Sequence, residues 1–240
     1  MRSTRWELEV RPERGGRITS LRLDGEELLD QGIGVDQPTA NGFVEGGAWG
    51  WDEMVPNVEP TETLPDHGEA WRLPWRVTRA AGIELAMQCR GRLLPWELVR
   101  SIYLREALIA IYTYRNIGAQ PHLAYWCAHP LFRFEPGMEI SVPGRLGDLA
   151  DGTSAKVFLP RGSTDRATLR WRSGPAIEMS WDPALTPYVG IWACNGDLGG
   201  YRQIAIEPAT GGNDRPDPSA PPPLLAPGER LQWWLQIRAL

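Results

Sequence analysis

The sequence predicts an all-β protein, and three observations support that prediction. Apolar and polar residues alternate along much of the chain, as at Trp6, Leu8 and Val10, and this period of two is typical of strands with one buried face. No segment of about 12 or more residues carries apolar residues at helical spacing. The 26 glycines and 22 prolines fall between the strand-like runs, where turns require them. We therefore expect a large antiparallel β-sandwich.

Individual strands and turns can be assigned along the chain. Asp24 and Gly25 separate RITSLRL from EELL and predict a tight hairpin. Alternation over 83–89 predicts a strand, and the stretch 96–116 predicts two long antiparallel strands that turn near 105–106. The ending GERLQWWLQIRAL also has a strand pattern and needs a sheet to join.

The most proline-rich stretch is DRPDPSAPPPLLAP, from Asp214 to Pro227. Because a strand-like segment follows it, we interpret it as a surface loop within one domain spanning 1–240, not as a linker between domains. No internal repeat of about 20 to 50 residues is evident.

Composition restricts the class of partner. The chain has 25 basic and 30 acidic residues, a net charge of −5, which argues against nucleic-acid binding and against a polybasic membrane anchor. Cys89, Cys127 and Cys194 form no CxxC motif and have no histidine at metal-ligand spacing, so we expect neither a disulfide framework nor a metal site. With no signal-peptide pattern and no apolar run of about 20 residues, we expect a cytoplasmic location.

The segment GGAWGWDEMVPNVEP combines glycines, aromatic residues and acids, and it allows two interpretations. It predicts either the wall of a sugar cleft or a rigid connecting loop. In the cleft, Trp49 or Trp51 would stack on a sugar ring and Asp52 or Glu53 would accept hydroxyl hydrogen bonds. The 12 tryptophans of the chain are open to a core or a cleft role, and the core role is favoured for each because tryptophan is mostly buried in proteins.

Three polar residues stand out against the strand pattern. His67 lies in the turn-rich segment LPDHGEAW, and His129 ends an apolar run directly before Pro130. Glu207 follows Ile204 to Ile206 and precedes Pro208, which we expect to end the strand. A partly desolvated carboxylate there has a raised pKa and suits a general base, whereas its structural alternative is a salt bridge to an arginine. The histidines are open to structural roles as well.

Five segments in order resemble the aldose 1-epimerase family of galactose mutarotase-like proteins. They are GGRITSLRLDGEELL, GWDEMVPN with PDHGEAWRLPW, AHPLFRF, IAIEPATG and LLAPGERLQWWLQI. The resemblance implies the family's large antiparallel β-sandwich, the supersandwich with one open cleft. It implies a cofactor-independent enzyme that interconverts the α and β anomers of an aldose by opening and closing the sugar ring.

The resemblance also implies roles for particular residues. Glu207 matches the general base at the C1 hydroxyl, and His129 matches the acid that protonates the ring oxygen. His67 matches a second pocket histidine that hydrogen-bonds sugar hydroxyls, and Arg72 matches an arginine that follows it. Asp52 and Trp51 are candidates for hydroxyl contacts and ring stacking.

Alternative functions stay open at this point. The same scaffold can serve as a non-catalytic sugar-binding domain, or as a hexose-6-phosphate 1-epimerase whose phosphate is held by arginines such as Arg72, Arg76 and Arg133. A lyase or another isomerase would need a different acid–base pair, which the sequence does not reveal. The expected partner is a small sugar, and the protein is expected to be a monomer or a homodimer.

Overall fold

A computed structural model describes residues 1–143, 149–214 and 217–240, and over these residues the chain forms 18 strands and one short helix. The strands of the first half are β1 Trp6–Arg11, β2 Arg17–Leu23, β3 Glu26–Glu27, β4 Trp51–Met54, β5 Arg76–Ala81, β6 Glu84–Arg90, β7 Trp96–Leu104, β8 Ala107–Asn116 and β9 His122–Leu123. Those of the second half are β10 Cys127–Arg133, β11 Glu139–Ser141, β12 Thr153–Phe158, β13 Arg166–Arg170, β14 Ala176–Trp181, β15 Tyr188–Asn195, β16 Arg202–Ala209, β17 Leu224–Leu225 and β18 Arg230–Ala239. The helix α1 spans Phe43–Gly47.

The strands build two large antiparallel sheets. The first has the order β1-β2-β4-β10-β16-β15-β12, with β3 beside β2, and the second has the order β11-β13-β14-β18-β8-β7-β6-β5. The strands β9 and β17 form a separate pair. The prediction of an all-β antiparallel fold is confirmed.

Strand alternation decides which side chains fill the space between the sheets. Trp126, directly before β10 of the first sheet, lies 4.7 Å from Tyr112 and 4.9 Å from Trp233 of the second sheet, measured between ring centroids. Trp51 and Phe132 belong to the same buried cluster. Neighbouring residues along each strand of the first sheet point to its other face, where a second, smaller apolar cluster packs.

The predicted hairpins are present. β7 and β8 pair from Trp96 with Asn116 to Leu104 with Leu108, and Asp24 and Gly25 connect β2 to β3 at positive φ. The predicted final strand is β18, which pairs with β8 along its length.

The expectation that Pro208 ends its strand is wrong, because β16 continues to Ala209. Pro130 likewise lies within β10. Both prolines lie where the pairing between β10 and β16 is interrupted. The two strands pair at Cys127 with Ala209 and again from Leu131 with Ala205. A proline is tolerated inside a sheet where no partner needs its missing N–H. Both strands therefore continue, and the hydrogen-bond ladder between them is interrupted.

The proline-rich stretch is partly described. Residues 215 and 216 lie outside the described residues, whereas Leu224 and Leu225 form β17 against β9. The three cysteines are buried free thiols. In the part of the chain that the structure describes, no helix has the length and apolarity to cross a membrane.

Candidate active site

Glu207 and His129 face each other across the interrupted ladder. Cys127 pairs with Ala209 and Leu131 pairs with Ala205, so His129, midway along β10, lies opposite Glu207 on β16. On the other side of Glu207, β15 contributes Gly190. These three residues form a row across the outer face of the first sheet, the face turned away from the second sheet.

The two side chains of this row lie close together and are buried. Nε2 of His129 is 3.5 Å from Oε1 of Glu207, and the residues are 5% and 2% exposed. Oε1 of Glu207 and Nδ1 of His129 have no hydrogen-bond partner among the described residues. Buried polar atoms normally have partners, so these two unsatisfied atoms mark the pair as unusual.

Lys156 holds the second oxygen of Glu207. Its Nζ lies 2.6 Å from Oε2 of Glu207 and 2.7 Å from Oδ1 of Asp214. Gly190 makes room for this arrangement: a Cβ at that position would lie 2.9 Å from Oε2 of Glu207 and 3.2 Å from Cε of Lys156. The absence of a side chain on β15 thus allows the ion pair to form beside the row.

His67 approaches from a loop on the other side of His129. The centroid of its ring is 5.5 Å from that of the His129 ring. The His67 ring stacks on the Phe43 ring, with 4.5 Å between the two centroids. Its Nδ1 lies 2.9 Å from Oδ1 of Asp66, and its backbone has φ +57°. Asp66 also accepts the backbone N–H of Phe43 at 2.7 Å, so one carboxylate fixes the histidine and the start of α1 together.

Burial perturbs the acid–base groups in opposite directions. It raises the pKa of the Glu207 carboxyl, although Lys156 opposes the shift. Burial, with His67 and Lys156 nearby, lowers the pKa of His129 well below its usual range. Burial would also lower the pKa of Lys156, but Glu207 and Asp214 outweigh it and raise that pKa. Lys156 is therefore a fixed cation.

A cavity of about 170 Å³ opens over this face of the sheet and is lined by Glu207, both histidines and Lys156. A second cavity of about 290 Å³ lies on the other side of the ion pair, and Glu207 and Asp214 line it too. The carboxylate therefore borders two adjoining spaces.

Three other predicted site residues lie outside the lining of both cavities. Trp51 is fully buried in the core between the sheets. Asp52 shares the outer face of the sheet with His129, but its carboxylate accepts hydrogen bonds from Nε and Nη2 of Arg17, the latter at 2.6 Å. Arg72 lies over the ring of Trp71 and donates to the Asn41 carbonyl.

Sequence reasoning missed two residues of the site. Lys156 is the single lysine of the chain, and its rarity is the one sequence signal that marks it. Trp192 lines the cavity, whereas the predicted stacking residue Trp51 does not. Trp192 is set in a strand among apolar neighbours, so nothing local distinguishes it from the core tryptophans.

Within 1–143, 149–214 and 217–240, no group of three or more His, Cys, Asp and Glu side chains has the arrangement to hold a metal ion.

Solved structures with the same fold have been found for other proteins. The Slr1438 protein of Synechocystis sp. PCC 6803 matches with a TM-score of 0.81 at 18% identity, covering 98% of this chain and 94% of its own. A proposed aldose 1-epimerase of Escherichia coli K12 matches with a TM-score of 0.80 at 18% identity, covering 100% and 97%. A galactose mutarotase-like protein of Lactobacillus casei ATCC 334 matches with a TM-score of 0.76 at 15% identity, covering 100% and 99%. The chain thus has the galactose mutarotase-like fold. Comparison of the sequence with protein-family models and with curated proteins finds no match.

Proposed function

We propose that the protein is a cofactor-independent aldose epimerase that interconverts the α and β anomers of a free sugar. The observation that supports this most strongly is the pair formed by Glu207 and His129. A buried carboxylate oxygen and a buried imidazole, 3.5 Å apart, lie on one cavity wall. Ring opening needs one group that takes a proton and one that gives a proton, on neighbouring oxygens of the sugar.

In this mechanism Glu207 acts as the base and His129 as the acid. Oε1 of Glu207 takes the proton of the C1 hydroxyl, the C1=O bond forms, and the bond from C1 to the ring oxygen breaks. Protonated His129 gives its proton to the ring oxygen, so protons and electrons balance within the site. Rotation about C1–C2 presents the other carbonyl face. Reversal of the two transfers then closes the ring to the opposite anomer.

His67 is placed to bind and orient the sugar. Asp66 is hydrogen-bonded to Nδ1 of His67. The rest of the His67 ring is left for contacts with sugar hydroxyls, because His67 lines the cavity. The stacking on Phe43 fixes the plane of the ring. Orientation of this kind places the C1 hydroxyl and the ring oxygen against their two partners.

The mechanism requires one proton in the pair, on His129, with Glu207 ionised, although burial disfavours both of these charges. Activity is lost when the pair gains a second proton at low pH and when it loses its only proton at high pH. Because the groups are coupled, the two limbs of the profile belong to the pair and not to either residue.

Replacing Lys156 by methionine is expected to move the pH profile of kcat/KM to higher pH. The charge of Lys156 lowers the pKa of both Glu207 and His129. Both pKa values therefore rise when that charge is removed, and both limbs of the pH profile move to higher pH. The shift is measured by polarimetry from pH 5 to 9. Lys156→Arg keeps the charge and should keep the limbs near those of the parent. A methionine variant with a lower rate but unmoved limbs would contradict this role.

The proposal is tested by NMR saturation transfer between the anomers of free hexoses. Faster exchange than in buffer, for at least one sugar, is the expected result. If a sugar binds but none exchanges faster, the protein is a sugar-binding domain and the catalytic proposal is wrong. Adding a chelator is a control, because proton transfer between the named side chains requires no metal ion.

A further inference from the structure

The outer face of the sheet beneath the cavity has a polar row and an apolar row. Leu131, Ala205 and Trp192 lie opposite one another on β10, β16 and β15. Each lies two residues along its strand from His129, Glu207 or Gly190, and therefore on the same face of the sheet. Two residues of strand span about 7 Å, which is on the scale of a sugar ring.

A sugar with C1 at Glu207 that occupies the cavity lined by both histidines extends over Leu131 and Trp192 of the apolar row. The lining of the cavity also includes the apolar residues Val44, Val58 and Leu198, together with the acidic residue Glu59. Gln203 lies at the same end of the cavity. Its Nε2 already donates hydrogen bonds to Oδ2 of Asp30, at 2.7 Å, and to the carbonyl oxygen of Ala48. Tyr201 also lines the cavity, and its buried hydroxyl has no hydrogen-bond partner among the described residues.

The charge of the cavity is unfavourable to a phosphate group. Of the described residues that line it, Lys156 is the single lysine or arginine, and it is already paired with Glu207 and Asp214. The arginines suggested for phosphate binding are engaged or placed elsewhere: Arg133 lies over Trp171, Arg72 lies over Trp71, and Arg76 is exposed on β5 of the second sheet.

We infer that the substrate is an uncharged deoxy aldose, with hydrogen in place of a hydroxyl group on the part of the ring distal to C1. A fully hydroxylated sugar would bury hydroxyl groups against Leu131 and Trp192, where few partners are free to replace water. A deoxygenated carbon meets the same surface without that cost. This inference rests on the proposed function for the placement of C1.

The test compares matched sugars within one configuration at a time. For the gluco and galacto series, the parent hexose, its 3-, 4- and 6-deoxy analogues and its 6-phosphate are each assayed for anomer exchange by saturation-transfer NMR and for binding by calorimetry. We expect at least one deoxy analogue to exceed its parent in kcat/KM by about 10- to 100-fold, the range in which an apolar pocket discriminates a hydroxyl group. The 6-phosphates should show no acceleration.

The outcomes separate this inference from the proposed function. If parent hexoses are exchanged as well as every deoxy analogue, or a 6-phosphate is preferred, the deoxy assignment is wrong and the epimerase proposal stands. If a deoxy analogue binds more tightly than its parent but none exchanges, the ligand class stands and the catalytic proposal is wrong. If none of these sugars binds, both are wrong.

One variant tests the apolar end directly. Leu198 lines the cavity, is 43% exposed and has φ +47°, a conformation that asparagine tolerates well. Leu198→Asn should therefore fold and should reduce the ratio of deoxy to parent kcat/KM by several-fold. Leu93→Asn, at a 54% exposed leucine outside both cavities, is the matched control and should leave the ratio unchanged. Equal ratios in the two variants would overturn the assignment.

Discussion

Replacing Glu207 by glutamine is expected to abolish the acceleration of anomer exchange while sugar binding persists. The amide keeps the shape of the carboxylate but cannot take the proton of the C1 hydroxyl, and loss of a general base typically costs about 10²- to 10⁴-fold in rate. Lys156 keeps its contact with Asp214 at 2.7 Å, so the surrounding structure retains a counter-ion. Saturation-transfer NMR measures the rate, and calorimetry with the same sugar measures binding.

The matched control for this variant is Glu62→Gln. Glu62 is exposed and lines neither cavity, so the same chemical change there should alter neither rate nor binding. Thermal unfolding of both variants checks that each is folded at the assay temperature. Wild-type exchange rates in folded Glu207→Gln would show that another group is the base.

The sheet content could be predicted because it depends on local alternation. A run such as Trp96–Leu104 alternates between buried and half-buried residues along its length, and this period is read directly from the sequence. The prolines were harder to interpret, because whether Pro208 ends a strand depends on where the neighbouring strand needs an N–H. That depends on the register between β10 and β16, which no local pattern contains.

The site could be predicted only in part for a related reason. The structure gathers Glu207, His129 and His67 around one cavity, and each is a polar residue in an unusual local setting. Lys156 reaches Glu207 from β12, two strands away from β16, and Gly190 between them leaves the space. Such a contact is a product of strand order, so a single sequence offers no spacing that predicts it.

The adjacent acids Asp52 and Glu53 show how the alternation of side chains along a strand places two similar residues in different environments. Both are buried in β4, but they point to opposite faces of the sheet. Asp52 pairs with Arg17 on the outer face. Glu53 points into the core, where it accepts hydrogen bonds from Arg100 at 2.8 Å, Tyr112 at 2.9 Å and Trp126 at 2.8 Å.

Replacing Arg100 by methionine is expected to destabilise the protein by about 3 to 5 kcal/mol, the usual loss when one partner of a buried ion pair is removed. Arg100 and Glu53 are both 0% exposed, so the remaining carboxylate would be left without its cation. Its pKa, already raised by burial, would rise further because the cation that opposes that shift is gone. Urea unfolding at pH 7 measures the loss.

A second substitution distinguishes an unpaired charge from lost packing. In Arg100→Met/Glu53→Leu both charges are gone, and apolar replacement of a whole buried pair is often close to neutral. Tyr112 and Trp126 lose an acceptor in that variant, so recovery should be large but incomplete. Arg238→Met breaks an exposed pair with Glu178 and should cost far less, because solvent screens such pairs. If the double variant is no more stable than Arg100→Met, the loss comes from packing around the guanidinium, and the buried charge of Glu53 is not its cause.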